Sequence, residues 1–106
     1  MAAKVLGQSA PSATTDTDLY TVPSGKSTVV STLSVCNRSA SVVSYRIAVR
    51  PAGVTLANQH YIQYGTELPA NGSDHFTLGI TLAATDVVTV YASTADLSFS
   101  VFGDES

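Results

Sequence analysis

The sequence predicts an all-β protein: an antiparallel β-sandwich, jelly-roll-like, with about seven or eight short strands. Apolar and polar residues alternate with a period of two in several segments, most cleanly in residues 42–50, where one face carries Val43, Tyr45, Ile47 and Val49. Turn-forming residues separate these segments at fairly regular intervals, and no stretch has the periodicity of an amphipathic helix. Short, regularly spaced strands without helices are typical of sandwiches and jelly rolls.

The composition indicates one small domain with an unusual surface. At 106 residues the chain has room for a single core, so residues 1–106 are predicted to form one domain. Charged residues account for only 12% of the sequence, about half of the usual share, and serine and threonine replace them. Because a lone monomer usually carries more charge for solubility, such a surface is typical of a protein covered by its own copies or by a larger assembly.

The first seventeen residues are predicted to form an extended arm or an edge segment. Val5 and Leu6 make a short apolar patch that could add an edge strand or cross to a neighbouring molecule. Residues 8–17 are rich in serine, threonine and alanine and have no periodicity, which indicates an arm or a loop.

Two long alternating segments dominate the middle of the chain. Residues 27–37 and 42–50 are predicted to be neighbouring strands that form the nucleus of an antiparallel sheet, joined by a short polar break. In the first segment, Val29 shares the parity of Leu33 and Val35, and the last two are predicted to point inward.

Four further strands are predicted in the second half of the chain, at residues 60–64, 76–82, 87–92 and 97–102. In the first of them, alternation separates His60, Ile62 and Tyr64 from Tyr61 and Gln63. In the second, one face carries Phe76, Leu78, Ile80 and Leu82, and Gly79 indicates a bulge or close packing. In the last, the predicted core face carries Leu97, Phe99 and Val101.

No catalytic, cofactor-binding or metal-binding residue is predicted. Cys36, the only cysteine, lies in an apolar alternating run and is predicted to be a buried small hydrophobe. His60 and His75 lie fifteen positions apart without a partner at ligand spacing, which leaves only a metal shared between symmetry-related copies as an alternative. No phosphate loop, nucleophile elbow or HExxH motif is present, so the sequence predicts a protein that is not an enzyme.

The charge pattern argues against nucleic-acid and membrane partners. The net charge is −3, whereas phosphate recognition needs a dense basic face. Arg46 and Arg50 share a strand face and Arg38 lies in the adjoining loop, so a modest basic patch is the alternative to solvated strand and loop positions. No apolar run approaches the ~20 residues that span a bilayer, and no signal peptide is predicted, so synthesis in a cytoplasm is expected.

The candidate interface residues are mostly aromatic. Tyr61 and Tyr64 fit interface anchors and core-edge positions equally well, because tyrosine is enriched at interfaces. Tyr20 is a further candidate, and Val5 and Leu6 complete the set.

Several motifs in the chain resemble small virion proteins of tailed bacteriophages. The similar segments are Tyr20-Thr21-Val22-Pro23-Ser24-Gly25-Lys26, Val35-Cys36-Asn37, Tyr45-Arg46-Ile47-Ala48-Val49, Arg50-Pro51-Ala52-Gly53 and Leu82-Ala83-Ala84-Thr85-Asp86. They cover most of the chain, and they are fold-forming motifs, so they imply a family without locating a site.

The resemblance implies a non-enzymatic structural subunit of a phage virion. The expected role is a homo-oligomeric capsid cement or decoration protein, a dimer or trimer that contacts the major capsid protein or another virion protein and adds strands to neighbours. A tail, baseplate or fibre component is the alternative within this class. A carbohydrate- or receptor-binding module is the alternative from another class, and it would use Tyr61 and Tyr64 as an exposed aromatic platform.

Overall fold

The computed structural model describes residues 2–106 and confirms the predicted β-sandwich, since two antiparallel sheets pack together. This part of the chain contains nine strands: β1 Ala2–Ser9, β2 Thr17–Thr21, β3 Thr28–Asn37, β4 Val43–Arg50, β5 Tyr61–Leu68, β6 Ser73–Phe76, β7 Ile80–Leu82, β8 Val87–Ala92 and β9 Leu97–Glu105. Two single 3-10 turns, Pro51–Gly53 and Asn58–His60, lie between β4 and β5. Neither these turns nor any other helical segment in residues 2–106 is long and apolar enough to cross a membrane.

Consecutive strands of the chain mostly belong to different sheets. The first sheet has the order β1-β9-β3-β6, with β7 also paired to β3, and the second has the order β2-β8-β4-β5. All neighbouring strands are antiparallel. The chain therefore changes sheets at most connections, and β4 and β5 are the consecutive strands that pair within one sheet.

The prediction that the two central strands are neighbours in one sheet is wrong. β3 belongs to the first sheet and β4 to the second. Each strand has one apolar face, and both faces are buried when the strands lie in opposite layers. The buried Asn37 stabilises the connection by which the chain passes from the first sheet to the second. Its side-chain amide donates to the backbone carbonyls of Ser41, Leu68 and Pro69.

The core lies between the sheets and contains the residues that alternation assigned to it. Leu33 and Val35 of β3 are fully buried, as predicted. The predicted faces of β4 and β9 are also inward, with Val43, Tyr45, Ile47, Leu97, Phe99 and Val101 buried and Val49 packed at the margin. Period-two burial on facing sheets is the geometry that the hydrophobic effect favours for this pattern.

A bulge in β3 reverses the face assigned to its first residues. Val30 pairs with Gly103 and Thr32 with Phe102, so Ser31 is the extra residue. Val29, which shares the parity of Leu33, is consequently exposed, and Val30 is buried in its place. A single inserted residue moves every side chain before it to the other face of a strand.

The prediction that Cys36 is buried is wrong. Cys36 is exposed, because it alternates with the inward Val35 and lies on the outer face of the first sheet. Its strand partners are Ser73 and Ser98. An apolar neighbourhood in sequence therefore did not indicate burial for this side chain.

The single strand predicted at residues 76–82 is two strands. β6 ends at Phe76, β7 begins at Ile80, and Gly79 between them has a left-handed backbone with φ of 61°. Leu78, assigned to the core face, is exposed because it lies in this break. Glycine adopts positive φ without the steric cost that other residues have, which explains its position at the break.

The N-terminal segment is an edge strand of the first sheet. β1 pairs with β9 along most of its length, from Ala2 opposite Glu105 to Ser9 opposite Phe99. Leu6 packs against the core, and a Cβ added to Gly7 would collide with the carbonyl of Leu19 on β2. β1 therefore contacts both layers of the sandwich.

Candidate functional site

The outer face of the second sheet carries a cluster of aromatic and basic side chains. Arg46 lies on β4, with β5 on one side and β8 on the other. We call the cluster the tyrosine–arginine surface; it consists of Arg46, Asn58, Tyr61, Tyr64 and Tyr91.

A bulge in β5 brings Tyr61 and Tyr64 to the same face. Tyr61 pairs with Ala48 and Tyr64 with Arg46, and the register shifts between them. Alternation assigned these tyrosines to opposite faces, and that assignment is wrong because Ile62 is an extra residue in the register. The two rings meet edge to face, with centroids 4.9 Å apart and planes at 82°. Tyr64 is 62% exposed, so this pair forms an accessible aromatic platform.

The guanidinium of Arg46 lies between two tyrosine rings. Its Cζ is 4.4 Å from the ring centroid of Tyr64 and 4.2 Å from that of Tyr91. The strand pairing produces this arrangement, since Arg46 is directly opposite Tyr64 on β5 and opposite Tyr91 on β8. Cation–π contacts on both sides hold the guanidinium in one orientation. No signal in the sequence separates Arg46 from the other arginines, because its partners are defined by sheet pairing.

A small open concavity lies beside the aromatic pair. It has a volume of about 260 Å³ and is lined by Asn58, Tyr61 and Tyr64. The 3-10 turn Asn58–His60 positions Asn58, and the buried His60 fixes that turn, because its Nδ1 accepts a hydrogen bond from the Ala57 amide at 3.0 Å. The surface thus combines two aromatic rings with a side-chain amide at the rim of a depression.

The three arginines considered as a basic patch have different surroundings. Arg50 is ion-paired with Asp18 at 2.9 Å and also donates to Thr89 Oγ1. Arg38 donates to the backbone carbonyl of Ala95. Only Arg46 of the three belongs to the tyrosine–arginine surface. Arg38 and Arg50 contact neighbouring oxygens of the protein, so the three arginines do not form one basic patch.

The remaining candidate interface residues occupy three different environments. Val5 is 52% exposed on β1, whereas Leu6 is partly buried against the core. Tyr20 is only 8% exposed, and its hydroxyl donates to Glu105 Oε2 at 2.6 Å and is hydrogen-bonded to Thr28. Tyr20 is therefore a core residue of this structure, and its ring offers little surface to a partner.

Glu105 connects three strands. It accepts hydrogen bonds from the Tyr20 hydroxyl on β2 and, at 2.9 Å, from Lys4 Nζ on β1. The hydrogen bond from Tyr20 has the larger effect and that from Lys4 the smaller, and together they hold the pKa of the Glu105 carboxyl below its usual range. Burial, followed by the hydrogen bond to Glu105, raises the pKa of the Tyr20 hydroxyl.

The second histidine lies on the opposite side of the molecule. His75 is exposed on the outer face of the first sheet, where Nδ1 is 2.8 Å from Ser34 Oγ and Nε2 is 3.3 Å from Ser73 Oγ. His60 lies in the 3-10 turn before β5 of the second sheet, whereas His75 lies on β6 of the first sheet, so the two histidines do not form one site. Across residues 2–106, no group of three His, Cys, Asp or Glu side chains could hold a metal ion.

Comparison with known proteins does not assign this chain to a family: no protein-family model, curated protein or solved structure matches it.

Proposed function

We propose that this protein is a non-enzymatic structural subunit of a phage virion, and specifically a homo-oligomeric capsid cement protein. The observation that carries the proposal is the strand order. When β6 and β7 are counted as one interrupted strand, two four-stranded sheets with the orders β1-β9-β3-β6 and β2-β8-β4-β5 have the arrangement expected of a jelly roll. Jelly rolls are frequent in viral capsid and lectin domains, so the support is an analogy at the level of fold.

The edge of the first sheet supports a role in assembly. β1 has β9 on one side, and its other edge presents backbone groups that can accept a strand from a neighbour. Val5 on this strand is exposed, which provides apolar surface beside the free edge. A dimer or trimer that also contacts the major capsid protein would use both features. A tail, baseplate or fibre subunit would use the same contacts.

Solution mass tests the proposed self-association. Light scattering across a dilution series should give a persistent dimer or trimer, and Val5→Glu should reduce the mass toward that of a monomer, because it adds charge beside the free edge. Val42→Glu is the matched control, since Val42 is exposed in a loop away from β1. A monomeric wild-type protein at all concentrations would contradict the cement proposal.

The second candidate function is a carbohydrate- or receptor-binding module. The concavity lined by Asn58, Tyr61 and Tyr64 favours it, because aromatic rings with a few polar groups at a depression are typical of small-ligand sites. A glycan-array screen of the wild type, with Tyr61→Ala and Tyr64→Ala, tests this candidate. Binding that both variants lose would support it, and an array without signal would argue against it.

A further inference from the structure

Within residues 2–106, Arg46 is the arginine whose guanidinium makes neither an ion pair nor a hydrogen bond to the protein. The ion pairs within residues 2–106 are Lys4–Glu105 and Arg50–Asp18, and Arg46 belongs to neither. Within the same residues, its guanidinium makes no hydrogen bond to the protein, whereas Arg38 and Arg50 donate to neighbouring oxygens. Arg46 is nevertheless partly buried. A cation that has lost part of its hydration favours an anionic partner.

The rings of Tyr64 and Tyr91 determine which part of the guanidinium a partner can reach. The two ring centroids are 4.4 and 4.2 Å from Cζ, on the strands at either side of Arg46, and the N–H groups have no acceptor within residues 2–106, so they are the donors left for a partner. Two parallel N–H donors of a planar guanidinium match the two oxygens of a carboxylate. Because the rings already restrict the arginine, little further side-chain entropy is lost on binding.

We propose that the tyrosine–arginine surface binds a carboxylate-bearing sugar, with the carboxylate on Arg46 and the sugar ring in the adjoining concavity. The inference rests on the binding-module function and deepens it. Tyr64 connects the two parts, since its ring contacts Arg46 and also lines the concavity. The concavity and the guanidinium thus share the Tyr64 ring as a common neighbour.

The lining of the concavity favours a sugar over an acidic protein side chain. The Tyr61 and Tyr64 rings offer faces and edges on which the C–H groups of a pyranose pack, and the Asn58 amide both donates to and accepts from hydroxyl groups. An aspartate or glutamate from another protein would occupy the guanidinium and leave the concavity unfilled.

An NMR titration with sodium glucuronate tests the proposal, with glucose and acetate as matched probes. Glucuronate should shift the amide resonances of β4, β5 and β8 around Arg46, Tyr64 and Tyr91 in a saturable manner. Glucose lacks the carboxylate and should bind at least about ten-fold more weakly, the factor expected for losing a charge-assisted hydrogen-bonded pair. Acetate keeps the carboxylate but lacks the ring, so it should also bind more weakly, because it makes no contact in the concavity.

Three variants separate charge, geometry and ring recognition. Arg46→Gln should weaken glucuronate binding at least about ten-fold, and Arg46→Lys should also weaken it, because an ammonium does not reproduce the bidentate fork. Asn58→Ala should weaken glucuronate and leave acetate unchanged. Arg38→Gln removes the same charge elsewhere and should bind as the wild type does. The amide spectrum of each variant shows directly whether it is folded.

Four outcomes would overturn the proposal: glucose binding as tightly as glucuronate, acetate binding as tightly, an unchanged affinity in Arg46→Gln, or no shift with glucuronate. If neutral glycans bind and depend on Tyr61 while glucuronate has no advantage, the binding-module function stands and the acidic specificity fails. If neither neutral nor acidic sugars bind, both fail.

Discussion

At the scale of single residues, exposure in this protein follows strand parity more than the apolar character of the local sequence. Cys36 lies between the buried Val35 and Asn37, yet its own side chain is outside. Tyr45 has the opposite character, since its polar hydroxyl is at the end of a fully buried ring. Strand parity predicts the burial of Tyr45 correctly. It also predicts that Cys36 is outside, because Val35 beside it points inward, whereas the residue type indicates burial.

The exposure of Cys36 predicts a small effect of substitution. Cys36→Ser should change the free energy of unfolding by less than about 0.5 kcal/mol, because surface substitutions without special contacts rarely exceed that value. The native thiol should also react quickly with a chromogenic disulfide reagent. Chemical denaturation and a thiol titration check the two statements; a loss above 1 kcal/mol, or a thiol that reacts only in denaturant, would contradict them.

The Tyr45 hydroxyl predicts a measurable stabilisation. It donates to Asp74 Oδ2 at 2.6 Å, and its ring packs against Phe76 and Phe99. Tyr45→Phe keeps the ring and removes a hydrogen bond to a carboxylate, so the free energy of unfolding should fall by about 1.5–3 kcal/mol. Urea denaturation measures this loss. Tyr64→Phe, which removes an exposed hydroxyl, is the control and should be near neutral.

The same hydroxyl predicts a loss of stability in alkali. Burial, then the hydrogen bond to Asp74 and its negative charge, raise the pKa of Tyr45 above the ordinary tyrosine value. A pKa raised in the folded state stabilises the protein below about pH 10, and the stabilisation is lost as the pH rises further, because the unfolded chain ionises first. As the pH increases, the urea midpoint of Tyr45→Phe should fall less steeply than that of the wild type. Some pH dependence should remain in the variant, because the pKa of Tyr20 is also raised. Parallel curves would argue against this role.

At the scale of elements, bulges determine which side chains meet. The extra residue Ser31 exposes Val29 and buries Val30, and the extra residue Ile62 places Tyr61 beside Tyr64. Both segments alternate regularly in sequence, so neither bulge has a clear local signal. Bulges form where the two paired strands twist and pack differently, which depends on the partner strand.

The bulge in β3 makes Gly103 on β9 intolerant of a side chain. A Cβ at this position would collide with the carbonyl of Val29 and the backbone of Val30, and those atoms are held by the β3–β9 pairing. Gly103→Ala should therefore destabilise the protein by about 1–3 kcal/mol or more. Ser98→Ala, on the outward face of the same strand, should be near neutral. Equal melting temperatures for the two variants would show that β3 and β9 can separate without cost.

At the scale of the whole molecule, the two ends of the chain are joined in one sheet. β1 is the first strand and β9 the last, and they pair from Ala2–Glu105 to Ser9–Phe99. Contacts between residues so distant in sequence close a long loop, so folding is expected in milliseconds to seconds and not faster.

Removal of β1 should destabilise the entire sandwich. Deletion of residues 1–9 leaves β9 as an unpaired edge and removes the packing of Leu6 and Gly7 against the core and β2. The free energy of unfolding should fall by at least about 2 kcal/mol, the lower end of the cost of one deleted core side chain. Val5→Thr, which alters only exposed surface of β1, separates this effect from assembly. Wild-type stability of the truncated chain would show that β1 is a dispensable arm.

The sequence by itself determined the class of fold, most of the core and the turns, because period-two alternation and turn-forming residues act locally. It also identified Tyr61 and Tyr64 as candidates for contact. Only the tertiary structure decided that β3 and β4 lie in opposite sheets, that Cys36 and Leu78 are outside, and that Arg46 lies between Tyr64 and Tyr91. These outcomes depend on strand partners and register, which are set by packing between segments far apart in the chain.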